Sequence, residues 1–243
     1  MTRIGLVSDI HGNVFALDAV LAELEREELD GIVCLGDVAS GPQPREALDR
    51  VRALGCPVIM GNWDAWFLDP PPPPPEGDEI ALKLHESALF WSELVTAADL
   101  DYIRTFLPTY ELDLGADEPA ICFHGSPTSY DDFIFAATPE AEVTRMLADG
   151  RRPTMIGGHS HVQLVRRIEH DLFVNPGSVG LPFSDWWPHR VRIARDAEYG
   201  LIEYADGRLR VELRTTPYDL EGLQRFLLES GLQHGQWWVD SWV

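Results

Sequence analysis

The chain has 243 residues, of which 45% are apolar and 24% are charged, a balance typical of a globular protein and too apolar for a disordered one. This length accommodates one large domain or two small ones. With 19 basic and 40 acidic residues the formal net charge is −21. That charge argues against non-specific nucleic-acid binding and against docking on anionic lipid, because both depend on clustered lysine and arginine.

The first 60 residues alternate between short apolar runs and helical periodicity. Residues 4–7, 32–35 and 58–60 are apolar runs of the kind found in strands buried on both faces. Between the first two runs, apolar residues recur at helical spacing after Asn13, which is a suitable N-cap. A second helix is predicted over 44–54, with Pro44 in its first turn. This order of strands and helices predicts parallel strands in an α/β fold.

The rest of the chain has weaker signals. Residues 70–75 are six consecutive prolines, which we interpret as a surface excursion because they cannot form a helix or a central strand. Thr138 is predicted to cap a helix over 139–148. The other predicted helices cover 78–93, 97–106 and 218–230, and the other predicted strands cover 109–114, 119–123, 154–157, 162–168, 171–174, 191–196, 199–205 and 208–215.

The C-terminal region ends in an apolar, tryptophan-rich tail. We expect a single domain over 1–243, in which 219–243 form a last helix and this tail. The tryptophan pairs at 186–187 and 237–238 are expected to be core or dimer contacts, and a homo-oligomer is therefore an open expectation.

Cysteines and apolar runs bear on the compartment. Cys34, Cys56 and Cys122 lie in or beside apolar runs without paired spacing, so we expect buried free thiols and no disulfides. No apolar stretch of the sequence approaches the roughly 20 residues that a membrane span needs. The run at 4–7 is also too short for a signal peptide. We therefore expect a cytoplasmic protein without membrane contact.

Seven polar side chains stand directly after apolar runs. They are two aspartates, four histidines and one asparagine: Asp9, His11, Asp37, Asn62, His124, His159 and His161. In open α/β sheets ligands bind beyond the carboxyl ends of the strands, so we expect these side chains at one edge. Asp9 and His11 are two residues apart, and so are His159 and His161. If the backbone stays extended, this spacing directs both side chains of each pair the same way. Such a cluster suits chelation of one or two cations, which would also attract an anionic substrate.

This order of motifs resembles that of the calcineurin-like metallophosphoesterases. The matching motifs are Asp9-x-His11, Gly36-Asp37, Gly61-Asn62-x-Asp64, the later His124, and Gly158-His159-x-His161. The Asn-Pro-Gly-Ser-Val-Gly segment at 175–180 and the Gly-Pro at 41–42 are similar to the small bacterial and archaeal phosphodiesterase-like branch. The resemblance extends over most of the chain before the tryptophan-rich tail. It implies a four-layer α-β-β-α sandwich with two facing mixed sheets.

The resemblance also implies a centre with two divalent transition-metal ions. By position, Asp9, His11 and His161 would hold the first ion, Asn62, His124 and His159 the second, and Asp37 would bridge both. Mixed carboxylate, imidazole and amide ligands suit Mn²⁺, our first expectation, and also Fe, Zn²⁺, Ni²⁺ or Co²⁺ better than Ca²⁺. Two such ions would supply a bridging hydroxide that attacks phosphorus. Asp37, Asn62 and His124 are therefore the expected catalytic residues.

Two further residues are candidates for contact with the substrate. The helix N-terminus after Asn13 is a favourable position for a phosphate oxygen. Trp63 stands where many family members carry a histidine that is thought to protonate the leaving oxygen, and an indole cannot do this at neutral pH. Trp63 could shape the pocket and stack on a base, or it could simply pack against Trp66 and Phe67, which we favour. Asp64 is expected to orient a ligand rather than to act as the acid.

Together these observations predict a phosphoester hydrolase with two metal ions, which acts on phosphodiesters in preference to monoesters. Its substrate would be a small phosphoester or a nucleotide. A nucleotide pyrophosphatase or a phosphoprotein phosphatase would use the same chemistry. The phosphatase is disfavoured because no arginine follows Asp37 in residues 38–41. A non-catalytic interaction scaffold is a further alternative, against which the seven intact ligand positions argue.

Overall fold

The computed structural model describes residues 1–115, 119–185 and 191–243. In the first 60 residues it follows the predicted alternation closely. The elements there are β1 (Thr2–Val7), α1 (Val14–Leu24), β2 (Gly31–Cys34) and α2 (Pro44–Leu54). The Asn13 side chain accepts a hydrogen bond from the backbone N–H of Ala16, as expected of the predicted cap. The tryptophan pair at 186–187 lies outside the described residues.

The remaining elements complete an α/β fold. The helices are α3 (Asn62–Leu68), α4 (Glu79–Ser92), α5 (Ala97–Ile103), α6 (Glu140–Leu147), α7 (Leu220–Glu229) and α8 (Gly235–Val239). The strands are β3 (Tyr110–Leu112), β4 (Ala120–Cys122), β5 (Thr154–Ile156), β6 (Leu164–Ile168), β7 (Asp171–Asn175), β8 (Phe183–Asp185), β9 (Arg192–Ile193), β10 (Asp196–Ala205) and β11 (Arg208–Pro217).

Three local predictions were wrong. The run at 58–60 is not a regular strand, because it is joined to its neighbours only by isolated bridges from Val58 to Cys34 and from Ile59 to Leu107. The strand predicted over 191–196 is only the two-residue β9. Thr138 does not cap α6, which begins at Glu140, because its hydroxyl accepts a hydrogen bond from the backbone N–H of Phe135 at 2.9 Å instead.

Two mixed sheets form the centre of the fold, as predicted. The first sheet has the strand order β11-β10-β1-β2, in which β1 and β2 are parallel and the other neighbours are antiparallel. The second has the order β3-β4-β5-β7-β6, in which β4, β5 and β7 are parallel. Strands β8 and β9 form a separate small hairpin. The parallel strands bring the carboxyl ends of β1, β2, β4 and β5 to one edge.

Three hydrophobic clusters fill the spaces between the layers. One lies between the two sheets and includes Leu6 of β1, Val33 of β2 and Ile156 of β5. A second packs α1 and α2 against the outer face of the first sheet, and a third packs α6 against the outer face of the second sheet. The result is the predicted order of helices, sheet, sheet and helix. Within the described ranges, no helix is both long and apolar enough to cross a membrane.

The proline run and the tryptophan-rich tail lie on the same side of the first sheet. The prolines connect α3 to α4 and are mostly exposed, which agrees with the predicted surface excursion. The tail forms α8, and its buried Trp238 packs on Trp91 of α4 with ring centroids 5.5 Å apart. The tail therefore fixes α4 against the body of the protein.

Candidate metal centre

The seven predicted ligand residues meet at the edge where the parallel strands end. Asp9 and His11 follow β1, Asp37 follows β2, His124 follows β4, His159 and His161 follow β5, and Asn62 begins α3. Asp9, Asp37 and His124 are completely buried, and the other three histidines are at most 6% exposed. The sheet topology thus brings together side chains as far apart in sequence as Asp9 and His161, whose Oδ1 and Nε2 atoms are 3.2 Å apart.

The backbone at this edge is not extended, which corrects one step of the sequence argument. Asp9, His11, Asp37, His159 and His161 all have φ between 47° and 64°. Residues other than glycine rarely adopt this left-handed region, and such residues concentrate at functional sites. The paired side chains converge because the chain turns sharply after each strand, and not because alternate residues of a strand share a face.

The ligand atoms form two groups that share one carboxylate. One group comprises Asp9, His11, Asp37 and His161, and the other comprises Asp37, His124 and His159. Asp37 Oδ2 lies 3.5 Å from Nε2 of His11 and also 3.5 Å from Nε2 of His124. Donors that bind one ion at about 2.0–2.2 Å lie about 3–3.5 Å from each other. These distances therefore fit one ion in each group.

Asn62 adjoins the second group. Its Oδ1 atom lies 3.2 Å from Nε2 of His124. The amide is positioned by α3, whose first residue is Asn62 and whose preceding Gly61 is extended. An amide oxygen at this distance from the imidazole nitrogen can join the same coordination sphere as His124 and His159.

Each carboxylate has one oxygen held by the protein and one oxygen free. Asp9 Oδ2 accepts hydrogen bonds from the Ser8 hydroxyl at 2.5 Å and from the backbone N–H of His159 at 3.1 Å. Asp37 Oδ1 accepts one from the backbone N–H of Trp63 at 2.9 Å. Within the described chain, the buried Asp9 Oδ1 and Asp37 Oδ2 have no hydrogen-bond partner. Burying such atoms without a partner is costly, so this arrangement fits cation ligands.

The histidines present bare nitrogens in the same direction. The Nδ1–H groups of His11, His124 and His161 donate to backbone carbonyls at 3.0, 2.7 and 2.8 Å, which leaves Nε2 as the atom that faces the centre. The Nε2 atoms of His11 and His161 are only 3.1 Å apart. A hydrogen bond between them would require a second proton on one ring, whereas a cation satisfies both lone pairs.

The electrostatics of the cluster favour bound cations. Although burial favours the neutral acid, the ring of His161 holds the pKa of Asp9 below its usual range, and His124 does the same for Asp37. Burial lowers the pKa of His11 to about 4 and that of His159 to about 3, so both rings are neutral at pH 7. Burial opposes the charge on His124, but the Asp37 carboxylate raises the pKa of that ring to about 9, so a metal ion there would displace a proton. The cluster therefore combines two buried carboxylates with imidazoles, which is a donor set for transition metals.

Asp64 positions the ligand loops through their backbone and does not touch a ligand side chain. Its carboxylate is completely buried and accepts hydrogen bonds from the N–H groups of Val38 at 3.0 Å, Ala39 at 3.3 Å and Gly61 at 3.3 Å. Both oxygens are thus directed at the segments that carry Asp37 and Asn62. The expected support of a ligand is therefore corrected to contacts with the backbone of the ligand segments.

Asn13 has a structural place rather than the predicted substrate contact. It is 1% exposed, its Oδ1 accepts from Ala16 N–H at 3.1 Å, and its Nδ2 donates to the carbonyl of Gly180 at 3.1 Å. Both ends of the amide are therefore used within the protein. The side chain joins the start of α1 to the loop after β7 and does not line the cavity described next.

A cavity of about 220 Å³ opens beside the ligand cluster. Trp63 lines this cavity and also packs on Trp66, with ring centroids 6.0 Å apart, so both alternatives considered for its ring are compatible with its position. Phe183 stacks on His161 with centroids 4.3 Å apart, and Phe133 lies 4.0 Å from His159. The aromatic side chains therefore shield the imidazoles from solvent on the cavity side.

Sequence reasoning missed most of this cavity wall. Its other lining residues are Ser40, Leu84, Trp91, Asp131, Leu181, Val191 and Trp238. They come from α4, α8 and several loops, and no spacing in the sequence links them. The apolar tail is a signal of buried contacts, but the sequence predicts Trp238 as a core or dimer contact and not as part of a cavity wall.

An α/β sandwich with a cluster of buried aspartate and histidine side chains at its strand ends is the architecture of a class of proteins that can hold metal ions. The comparison with known families narrows this class. Residues 2–194 match the model of the calcineurin-like phosphoesterase superfamily domain, and the chain belongs to this family. The resemblance stated from the motifs is therefore confirmed.

Relatives with the same fold come from bacteria and archaea. The chain is similar to a metallophosphoesterase from Sphaerobacter thermophilus, with 23% identity, a TM-score of 0.77, and coverage of 99% of this chain and 98% of that one. A hypothetical protein from Pyrococcus horikoshii OT3 gives 21% identity, a TM-score of 0.77 and 98% coverage of both chains. An uncharacterized protein of Methanocaldococcus jannaschii is 26% identical over 236 residues, which cover 90% of this chain and 89% of the relative.

Proposed function

We propose that this protein is a phosphodiesterase that uses two divalent metal ions. Membership of the calcineurin-like phosphoesterase family supports hydrolysis of a phosphoester. The observation that carries the proposal of two ions is the shared Asp37 carboxylate, whose Oδ2 atom lies 3.5 Å from Nε2 of both His11 and His124 and has no hydrogen-bond partner among the described residues.

In this proposal the ligands divide as the geometry divides them. Asp9, His11 and His161 would hold one ion, Asn62, His124 and His159 would hold the other, and Asp37 would be a ligand of both. Mn²⁺ is the ion that we propose, and Fe, Zn²⁺, Ni²⁺ and Co²⁺ suit the same donors. When bound, the ions would stabilise charge on the phosphoryl oxygens and lower the pKa of a water molecule between them.

The remaining roles belong to side chains of the protein. The three backbone carbonyls that accept from Nδ1 keep the imidazoles oriented and hold the proton away from Nε2. Asp64 fixes the positions of Asp37 and Asn62, because its carboxylate accepts hydrogen bonds from the backbone next to both residues. Phe133 and Phe183 cover the imidazoles of His159 and His161 and exclude water from them.

The preference for diesters rests on the lack of a proton donor at Trp63. The Trp63 ring lines the cavity beside the ligand cluster, and an indole N–H does not exchange a proton at neutral pH. The adjacent Asp64 is completely buried and accepts three backbone hydrogen bonds, so it cannot take over this role. Substrates whose leaving oxygen needs no proton should therefore react best.

The first experiment compares Mn²⁺-dependent hydrolysis of bis-p-nitrophenyl phosphate and p-nitrophenyl phosphate. We expect higher turnover of the diester, and a loss of at least about 100-fold in Asp37→Asn. The matched control is Asp101→Asn, which removes the same charge from a side chain that is 76% exposed. Equal losses in the two variants, or turnover that does not depend on metal, would contradict the proposed centre.

A second experiment tests the role of residue 63. Trp63→His should gain at least about tenfold on phenyl phosphate, whose leaving group needs a proton, and much less on p-nitrophenyl phosphate. Trp63→Phe is the control, because it removes the indole without adding a proton carrier. If both variants respond alike, the argument from the missing donor is wrong, while the metal centre is unaffected.

A further inference from the structure

Outside the ligand side chains, most residues of the cavity wall are apolar. The apolar part includes Trp63, Leu84, Trp91, Leu181, Val191 and Trp238. Among the described residues that line the cavity, none is a lysine or an arginine. A group that enters this space leaves water for a hydrocarbon surface, and the described wall offers no lysine or arginine that could balance a second phosphate.

This wall is a fixed structure. The indole N–H of Trp238 donates to the Ser87 hydroxyl at 3.0 Å, and both residues are buried. Nearby, His234 and Glu86 form a second link between the tail and α4, with Nε2 and Oε2 2.5 Å apart. The tail lies beyond the part of the chain that matches the family model, which ends at residue 194. The wall is therefore supplied in part by a segment that the family model does not include.

The size of the cavity limits the group that fits. About 220 Å³ exceeds the roughly 150 Å³ of a protein cavity that admits benzene. It therefore provides room for one ring-sized group. The tryptophan side chains offer ring faces and edges to a bound group. Contacts between aromatic rings contribute free energy beyond that from the burial of apolar area.

We propose that this cavity is the site for the organic group that stays on phosphorus, and that the substrate is a phosphodiester in which this group is an uncharged, ring-sized aromatic group. The inference rests on the proposed function, since it assigns the substrate class of the same centre. A nucleobase and a simple aryl group share this chemistry. The phosphate would lie against the ligand cluster and the ring against Leu84, Trp91 and Trp238.

The test uses diesters with one constant leaving group. Methyl, phenyl and thymidine-5′ esters of p-nitrophenyl phosphate all react by addition of water at phosphorus and release of p-nitrophenolate, with the proton going to solvent. We expect kcat/KM of the phenyl or the thymidine ester to exceed that of the methyl ester at least tenfold. A preference for the thymidine ester identifies a nucleobase, and a preference for the phenyl ester identifies a simple aryl group. Equal values for all three esters overturn the inference and leave the proposed function intact.

A variant on α4 tests the location. Leu84→Trp places an indole inside the cavity and should reduce the ratio of phenyl to methyl kcat/KM at least tenfold. Leu82→Trp is the matched control on the same helix, because Leu82 is 42% exposed and does not line the cavity. The comparison of esters in the unchanged protein does not depend on either variant folding. A ratio that is unchanged in a folded Leu84→Trp protein places the aromatic group elsewhere and refutes this site.

Binding of phosphonates, measured without turnover, distinguishes the aromatic site from the proposed phosphodiesterase activity. Calorimetry should show that phenylphosphonate binds the Mn²⁺-loaded protein at least tenfold more tightly than methylphosphonate, and that Leu84→Trp removes this difference. Selective binding of phenylphosphonate without turnover of any ester would support the cavity and refute the phosphodiesterase. Equal binding of the two phosphonates would refute the cavity.

Discussion

Gly61 offers a purely steric test of the shared carboxylate. A Cβ added at Gly61 would lie 2.0 Å from Asp37 Oδ1 and 2.3 Å from the Asp37 backbone nitrogen. The backbone of Gly61 is extended, with φ −88° and ψ 166°, so alanine introduces no conformational strain of its own. Ordinary contact begins at 3.4 Å, and Gly61→Ala must therefore move Asp37 or the start of α3 by about 1.4 Å.

The size of this displacement predicts the size of the effect. Metal–ligand distances tolerate changes of about 0.2 Å, and a misplacement of about 1 Å in an active site can cost about 100-fold in rate. Asp37 Oδ2 faces both His11 and His124, so both ion positions are affected together. We expect Mn²⁺ affinity and diester turnover to fall at least about 100-fold. The crowding itself should cost about 1–3 kcal/mol of the free energy of unfolding.

The assay measures bound Mn²⁺ by calorimetry, turnover of bis-p-nitrophenyl phosphate, and unfolding in urea. Gly31→Ala is the control, because a Cβ there would meet only Ile4 Cδ1 at 3.7 Å and the glycine lies in β2, away from the centre. A folded Gly61→Ala protein that binds two Mn²⁺ ions with unchanged affinity would refute the assignment of Asp37 as the shared ligand.

Three further predictions concern removal of metal, the cap of α1 and the buried Glu198. Chelation should lower the free energy of unfolding, because two buried carboxylates lose their counter-charge, and Mn²⁺ at 100 times its Kd should restore about 2.7 kcal/mol per site in urea unfolding; no shift would exclude a metal centre. Asn13→Ala should cost about 1 kcal/mol by loss of the α1 cap with an unchanged KM, whereas a raised KM would give Asn13 a substrate contact after all. Burial raises the pKa of Glu198 to about 7, above the ordinary value of 4.5, so the folded protein binds the proton more tightly and loses stability as the pH rises from about 4.5 to 7. Glu198→Gln lacks this proton and should not lose this stability. The difference in free energy of unfolding, variant minus unchanged protein, should therefore rise by up to about 3 kcal/mol between pH 4.5 and 8, measured in the presence of chelator. Equal pH profiles of the two proteins would contradict this.

The fold could be predicted where local signals and burial coincide. Helix α2 begins at Pro44 and ends before Gly55, which adopts the left-handed conformation that the helix end requires, and both signals are visible in the sequence. No such signal in the sequence marks α3 or α8. Helix α8 is only five residues long, and its two tryptophans are equally typical of an apolar tail. The short strand β9 pairs with β8 in a small hairpin, and Ile193 also forms a bridge to Trp242, about 50 residues away, which no local pattern could indicate.

The identity of the ligand residues could be predicted, but their backbone geometry could not. Strand ends and spacing were enough to select Asp9 and His11. Their left-handed conformation depends on hydrogen bonds to another strand end, in which Asp9 N–H donates to Gly36 O and His11 N–H donates to Asp37 O, both at 2.9 Å. These bonds exist only once β1 and β2 are paired. The assumption of an extended chain failed because local rules cannot include such partners.

Contacts with neighbouring segments also determine which nitrogen of His11, His124 and His161 faces the centre. His11, which follows β1, donates its Nδ1–H to Ser40, and His124, which follows β4, donates to Leu35 beside β2. Both acceptors lie on the segment that also carries Asp37. The segment that provides the shared carboxylate therefore also fixes two of the imidazoles that face it. A distortion of residues 35–40 should consequently impair both ion positions together, whereas a distortion near Leu181, the acceptor of His161, should impair only the first.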